Sequence, residues 1–173
     1  MYLLDTSIIS DIVNADSSRH KAATDFLNAN ELFIDQIYIC VVSLGEMRFG
    51  REVRPLIAPV PTSEQLGALD QRITSAEMLA KEVAISRHVA ADYARLRAAY
   101  AKGVALKQLQ AKKLKSKPPE LWQQDVPASR LQITENDLWI AAIALTYDLI
   151  LVTADKDYQR VKEHFPELRF LYI

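Results

Sequence analysis

The chain has 173 residues, is 50% hydrophobic and 25% charged, and carries a formal net charge of −1. That length suits one domain, and a chain of this size buries roughly 70% of its unfolded surface, enough for a core without staples. The single cysteine, Cys40, excludes an internal disulfide and a multi-cysteine zinc site, and the four glycines form neither a G-x-G fingerprint nor a P-loop. No apolar run approaches the ~20 residues that span a bilayer, so a soluble, cytoplasmic protein with no membrane partner is predicted. In chain order, Met1–Asp5 (M-Y-L-L-D) reads as a short buried strand, followed by a helix over Ile8–Val13 and another around Ala22–Leu27. Ile37–Val42 is β-branched and continuous, as a strand covered on both faces should be. Ser43–Phe49 then starts a helix, Ser43-x-x-Glu46 matching a capping box.

Three prolines predict irregular structure over Arg51–Thr62. Leu66, Leu69, Ile73, Ala76 and Leu79 restore the helical period, Glu82–Ile85 suits a short strand, and Val89–Tyr100 an amphipathic helix. Residues 104–131 have no clear period and stand as a lysine-rich insertion within a single domain spanning 1–173. A strong helix over 135–147, a strand Leu149–Val152, a helix Asp157–His164 and a strand Arg169–Ile173 complete the chain. Strands separated by helices predict an α/β fold, a mainly parallel sheet with helices on both faces.

Charge is unevenly placed. From Tyr93 to Pro119 there are eight basic residues and no acid, which leaves −9 for the remainder. Such a segment either meets a polyanion or is a solvated loop.

Asp5, Glu46 and Asp155 stand at or just beyond strand ends, and Asp137 opens a helix within Thr134-Glu135-Asn136-Asp137. In an open parallel α/β sheet, ligands bind outside the carboxyl ends of the strands, so these distant acids are candidate neighbours. Taken singly, each suits a helix cap. Together they would raise one another's pKa unless a cation joined them, and hard Mg²⁺ or Mn²⁺ suits an all-carboxylate set.

The strings L-L-D-T-S-I-I-S, V-V-S-L-G-E-M-R-F-G, E-N-D-L-W-I-A-A-I-A-L and L-I-L-V-T-A-D-K-D-Y resemble the successive motifs of PIN domains. The likeness is closest to the VapC-type, FitB-like toxins of bacterial toxin–antitoxin pairs, and Val83–Ala101 resembles the helix before the third acid. The resemblance implies a three-layer α/β sandwich and a ribonuclease that uses Mg²⁺ or Mn²⁺ to hydrolyse RNA, leaving a 5′-phosphate and a 3′-hydroxyl. It assigns catalysis to Asp5, Glu46, Asp137 and Asp155, with Asp5, Asp137 and Asp155 as metal ligands. Asp157 competes with Asp155 for the last place, as helper or cap. Thr6, Ser7, Asn136 and Thr153 flank these acids as candidate supports or ordinary capping residues. A homodimer and a cognate antitoxin are the implied partners.

The insertion departs from the family pattern. Lys107, Lys112, Lys113, Lys115 and Lys117 are candidates to guide RNA phosphates, and Trp122 to stack on a base. Two other functions fit the same acids: a module that binds RNA or protein without cutting, and a metal-dependent phosphatase. Phosphatases of the haloacid dehalogenase type want two acids bracketing one residue, and Asp5-Thr6-Ser7 lacks the second.

Overall fold

Parallel neighbours cannot be joined by a tight turn, so each strand must return through a crossover, and the helical segments supply it. In the computed structural model, which describes residues 1–30, 35–111, 114, 116–127, 131 and 133–173, this is the arrangement found. Strand β1 (Tyr2–Leu4) is followed by α1 (Thr6–Val13), α2 (His20–Ala29), β2 (Ile37–Cys40) and α3 (Val41–Val53). A 3₁₀ turn at Arg54–Leu56 leads to α4 (Ser63–Leu79), β3 (Lys81–Val83), α5 (Arg87–Val104) and the short α6 (Leu106–Leu109). After a 3₁₀ segment at Pro119–Gln124 come α7 (Glu135–Thr146), β4 (Ile150–Thr153), α8 (Asp157–His164) and β5 (Phe170–Tyr172).

The sheet order is β3-β2-β1-β4-β5, and every pairing is parallel. Strand β1 lies in the centre, with Tyr2 opposite both Ile37 and Ile150. Side chains alternate across the sheet, so consecutive apolar residues enter different cores. Leu3, Cys40, Val83 and Leu151 pack with Leu96, Tyr100, Ala141, Ala142 and Tyr158 from α5, α7 and α8. On the other face, Leu4, Ile39 and Val152 pack with Ile8, Ile9, Leu44 and Ala76 from α1, α3 and α4. Burying each such leucine or isoleucine contributes about 1.5–3 kcal/mol, which is why strands of three or four residues hold. The result is the predicted α/β sandwich, and all strand carboxyl ends share one edge. Among the described residues, no helix is long and apolar enough to cross a membrane.

Several local expectations are corrected. Strand β2 stops at Cys40, and Val41-Val42 already form the first turn of α3, tertiary packing outweighing their β preference. Ser43 is buried, with its hydroxyl 3.3 Å from Cys40 Sγ, and the helix has no capping side chain. The Ser43–Glu46 capping box therefore does not exist, and Glu46 falls in the second helical turn. Helix order persists to Val53 and the 3₁₀ turn, so Arg51–Thr62 is only partly irregular.

The insertion is also more than a loop. Leu114, Val126 and Leu131 are buried. Arg97 donates to Val126 O at 2.9 Å and to Tyr93 Oη at 2.8 Å and pairs with Glu135, tying the segment to α5 and α7. Lys117 pairs with Asp125 at 2.6 Å, and the Trp122 indole N–H donates to Lys117 O at 3.0 Å. These two RNA-binding candidates thus hold the segment onto itself. Lys107 is exposed on α6, whereas Lys112, Lys113 and Lys115 lie outside the described residues.

Candidate functional site

Asp5 ends β1 in extended geometry (φ −69°, ψ 157°), and its N–H donates to Val152 O of β4 at 2.9 Å. Only 5% exposed, it accepts the Thr6 N–H on Oδ1 at 2.8 Å. Its Oδ2 accepts the hydroxyls of Ser7 at 3.0 Å and Thr153 at 2.8 Å. Thr153 closes β4, so this bond joins the carboxyl ends of two neighbouring strands. Thr6 donates its hydroxyl to Glu46 Oε2, and Asn136 Nδ2 donates to Glu46 Oε1 at 2.8 Å. One carboxylate of α3 thereby links the residue after Asp5 to the residue before Asp137.

Asp137 is the third residue of α7 and forms the expected capping box: its Oδ2 accepts from Thr134 Oγ1 at 2.6 Å and Thr134 N at 3.2 Å. Asp155 donates its N–H to Thr153 Oγ1 at 2.9 Å and accepts the Asp157 N–H at 2.8 Å. Asp157 pairs with Arg160 at 2.5 Å. Asp5 and Asp137 therefore do cap helices, whereas Asp155 lies one residue before Lys156, the N-cap of α8, and accepts the Asp157 N–H. Capping and convergence both hold, because the helices start where the strands end.

Sequence reasoning missed Tyr158. It is fully buried on α8 and donates its hydroxyl to Asp137 Oδ1 at 3.3 Å. The available signal was an aromatic hydroxyl directly after Asp157, since a buried tyrosine needs a polar partner for its oxygen. The three histidines stay apart: His20 bonds Asp11 O, His164 lies edge-on to Tyr100, and His88 neighbours Arg87.

The electrostatics are those of a crowded acid cluster. Burial, aided by the charges of Asp5 and Asp155, pushes Asp137 up to about 6 against the opposing Thr134 bonds. Burial is also the main cause raising Asp5, with the charge of Glu46 adding and bonds from Thr153, Ser7 and Thr6 opposing. Among the described residues, no lysine or arginine forms an ion pair with any of the four. No three described His, Cys, Asp or Glu side chains are drawn close enough to hold a metal ion as they stand. The donor set still fits a hard divalent cation, being all carboxylate, partly buried and without an ion pair among the described residues. Glu46 also borders an open cleft of about 690 Å³ shared with Phe49, Ile85, Asn136 and Trp139.

A parallel three-layer sandwich with its acids gathered at the carboxyl edge defines an α/β protein built around an anionic crevice. The PIN domain sequence profile matches residues 2–164, and the chain belongs to that family. Its fold is similar to that of FitAcB from Neisseria gonorrhoeae (21% identity, 99% of this chain and 96% of that one, TM-score 0.63). It is also similar to VapBC2 from Rickettsia felis bound to a DNA fragment from their promoter (19% identity, 99% and 97%, TM-score 0.60). A third is VapBC-5 from Mycobacterium tuberculosis, described as a member of the VapBC family of toxin–antitoxin systems (19% identity, 99% and 98%, TM-score 0.57). At these identities the likeness is one of fold. No curated protein matches the sequence.

Proposed function

We propose that the chain is an Mg²⁺- or Mn²⁺-dependent endoribonuclease and acts as the toxin of a toxin–antitoxin pair, with a cognate antitoxin as its protein partner. One observation carries the reading: four carboxylates from four distant segments gather at one sheet edge, bridged by Thr6–Glu46–Asn136, with no ion pair to any of them among the described residues. Family membership and the likeness to the VapBC and FitAcB proteins support it. Asp5, Asp137 and Asp155 would hold the ion. Asp155 is preferred over Asp157 because its charge acts on Asp137, whereas Asp157 is engaged by Arg160.

When bound, the ion supplies Lewis-acid activation of water and neutralises charge on the scissile phosphate. The residues supply orientation. Thr6, Ser7 and Thr153 hold Asp5, Thr134 and Tyr158 hold Asp137, and Asn136 holds Glu46, so each carboxylate has a fixed orientation from which it would have to draw inward to meet a cation. Glu46, outside the proposed ligand set and bordering the open cleft, would accept a proton from an attacking water. Asp137 retains a proton up to about pH 6, and cation binding would expel it.

The test is cleavage of a mixed RNA with Mg²⁺ or Mn²⁺ by the wild type and Asp5→Asn. We expect cleavage that chelator abolishes and that Asp5→Asn lowers by roughly a hundredfold or more. Hydrolysis of p-nitrophenyl phosphate in preference to RNA would instead support the phosphatase, and undiminished cleavage by Asp5→Asn would end the carboxylate-site reading.

A further inference from the structure

Glu46 and Thr6 face a second cleft, on the side of α3 away from Asn136. It holds about 350 Å³ between α1, α3 and α4. Its lining includes the apolar Met47, Leu69 and Ile73 and three arginines, Arg51, Arg54 and Arg72. They are not equivalent. Arg51 is neutralised by a two-pronged pair with Asp70, at 2.8 and 3.0 Å. Arg54 donates one nitrogen to Ile57 O and Pro59 O, both at 2.9 Å, and among the described residues no carboxylate pairs with it. Among the described residues Arg72 pairs only with Asp16, at 3.9 Å, and the Asp16 side chain is 94% exposed. A pair that loose and that exposed is worth little in water.

Arg72, paired only loosely, and Arg54, with no carboxylate partner among the described residues, thus share a cleft with a member of the acid cluster. A nucleic-acid strand lying across four carboxylates meets repulsion there, so its affinity must come from cations to either side. Guanidinium is suited to the task, because its planar fork matches two oxygens of a phosphate.

Resting on the ribonuclease reading, we propose that this cleft is a subsite for a backbone phosphate of the RNA, held by Arg72 and Arg54 one or more nucleotides from the scissile bond. Arg51 is fixed by Asp70 and shapes the wall. The apolar side chains of Met47, Leu69 and Ile73 would face the sugar attached to that phosphate.

The experiment measures binding of a short labelled RNA in Ca²⁺ buffer across a salt series, with cleavage of the same RNA in Mn²⁺ run in parallel. Proteins compared are wild type, Arg72→Gln, Arg72→Lys, Arg54→Gln and, as a control, Arg169→Gln at the amino end of β5. Arg72 has so little to pair with that its replacement should leave the melting temperature unchanged. Arg54 also braces Ile57 and Pro59, so Arg72→Gln is the decisive variant. It should weaken binding roughly fivefold or more and lower the slope of log affinity against log salt by about 0.7, the value for one phosphate contact on a single strand. Arg72→Lys should restore the slope, and Arg169→Gln should match wild type. If Arg72→Gln binds with the wild-type slope while wild type cleaves, the subsite is wrong and the nuclease reading stands. If wild type neither binds nor cleaves the RNA, the nuclease reading falls and takes the subsite with it. Equal loss of affinity for poly-glutamate and RNA would mark a general anion or peptide cleft and overturn the assignment.

Discussion

Asp137 shows how one side chain can serve fold and site in opposite senses. As a capping-box member it favours α7, a contribution of about 1 kcal/mol for a typical cap. As a partly buried carboxylate beside Asp5 and Asp155, it opposes the fold whenever it is ionised. Its folded pKa, about 6, lies above its ordinary value of 3.8. The stability this group contributes is therefore complete below its ordinary value and is lost as pH rises through about 6. Asp137→Asn keeps an oxygen for the cap and removes the charge. In chelator at pH 7.5 it should gain about 1–2 kcal/mol after allowance for solvent screening, or ~3–6 °C in melting temperature, and below about pH 3 almost nothing. Added Mg²⁺ should raise the wild type more than the variant. A lower melting temperature for the variant at pH 7.5 in chelator would show that capping dominates. All four acids were legible in the sequence because each stands in a recognisable string beside a strand or helix start. The hydroxyl of Tyr158 was not, since burial and direction arise only when α8 packs.

Element boundaries obey packing more than local preference. Val41 and Val42 are β-branched and lie in a helix, because the chain must turn off the sheet after Cys40 and Leu44 must reach the core. That one shift moved Glu46 from a first-turn cap to a second-turn position where it meets Thr6 and Asn136. The insertion hid its buried positions for a related reason: Leu114, Val126 and Leu131 are too widely spaced to show a period, and Val126 is anchored by Arg97, a residue outside the segment. Another contact between elements offers a clean measurement. A Cβ on Gly103 of α5 would come within 2.3 Å of two His164 ring atoms at the end of α8. Alanine there improves helix propensity by about 1 kcal/mol, yet the ring must move. Gly103→Ala alone should cost a net ~1–2 kcal/mol, whereas in a His164→Ala background it should stabilise. Thermal melts of the four proteins give the coupling, and simple additivity would show that the two helices do not press on each other.

For the whole molecule, alternation of short apolar runs with helical periods was enough to predict a parallel sandwich, because parallel pairing leaves few other ways to cover both faces. Assembly was less legible. Phe49 (70% exposed), Leu56 (82%) and Val60 (75%) put large apolar side chains into water from α3 and the turn after it. Several such residues so close in the chain are more than scattered surface exposure requires. We expect a homodimer, read by light scattering at micromolar concentration, and Phe49→Asp with Leu56→Asp should yield monomer. A wild-type monomer would assign this apolar surface to another partner, such as the antitoxin. The uneven charge seen in the sequence is partly settled within the fold, since Arg95, Arg97 and Lys117 of the basic stretch pair with Asp92, Glu135 and Asp125.

The central place of β1 sets a timetable. Asp5 receives its Thr153 bond only when β4 takes its position beside β1, yet Tyr2 and its partner Ile150 are separated by most of the chain. At about 5–20 residues per second, a ribosome needs roughly 7–30 s to make the intervening stretch. Until then Asp5 and Glu46 lack Asp137, Asp155 and the strand that aligns them. A nascent chain consequently lacks the assembled crevice until β4 has been made and has paired with β1. A partner already present at that moment could meet the site as it forms.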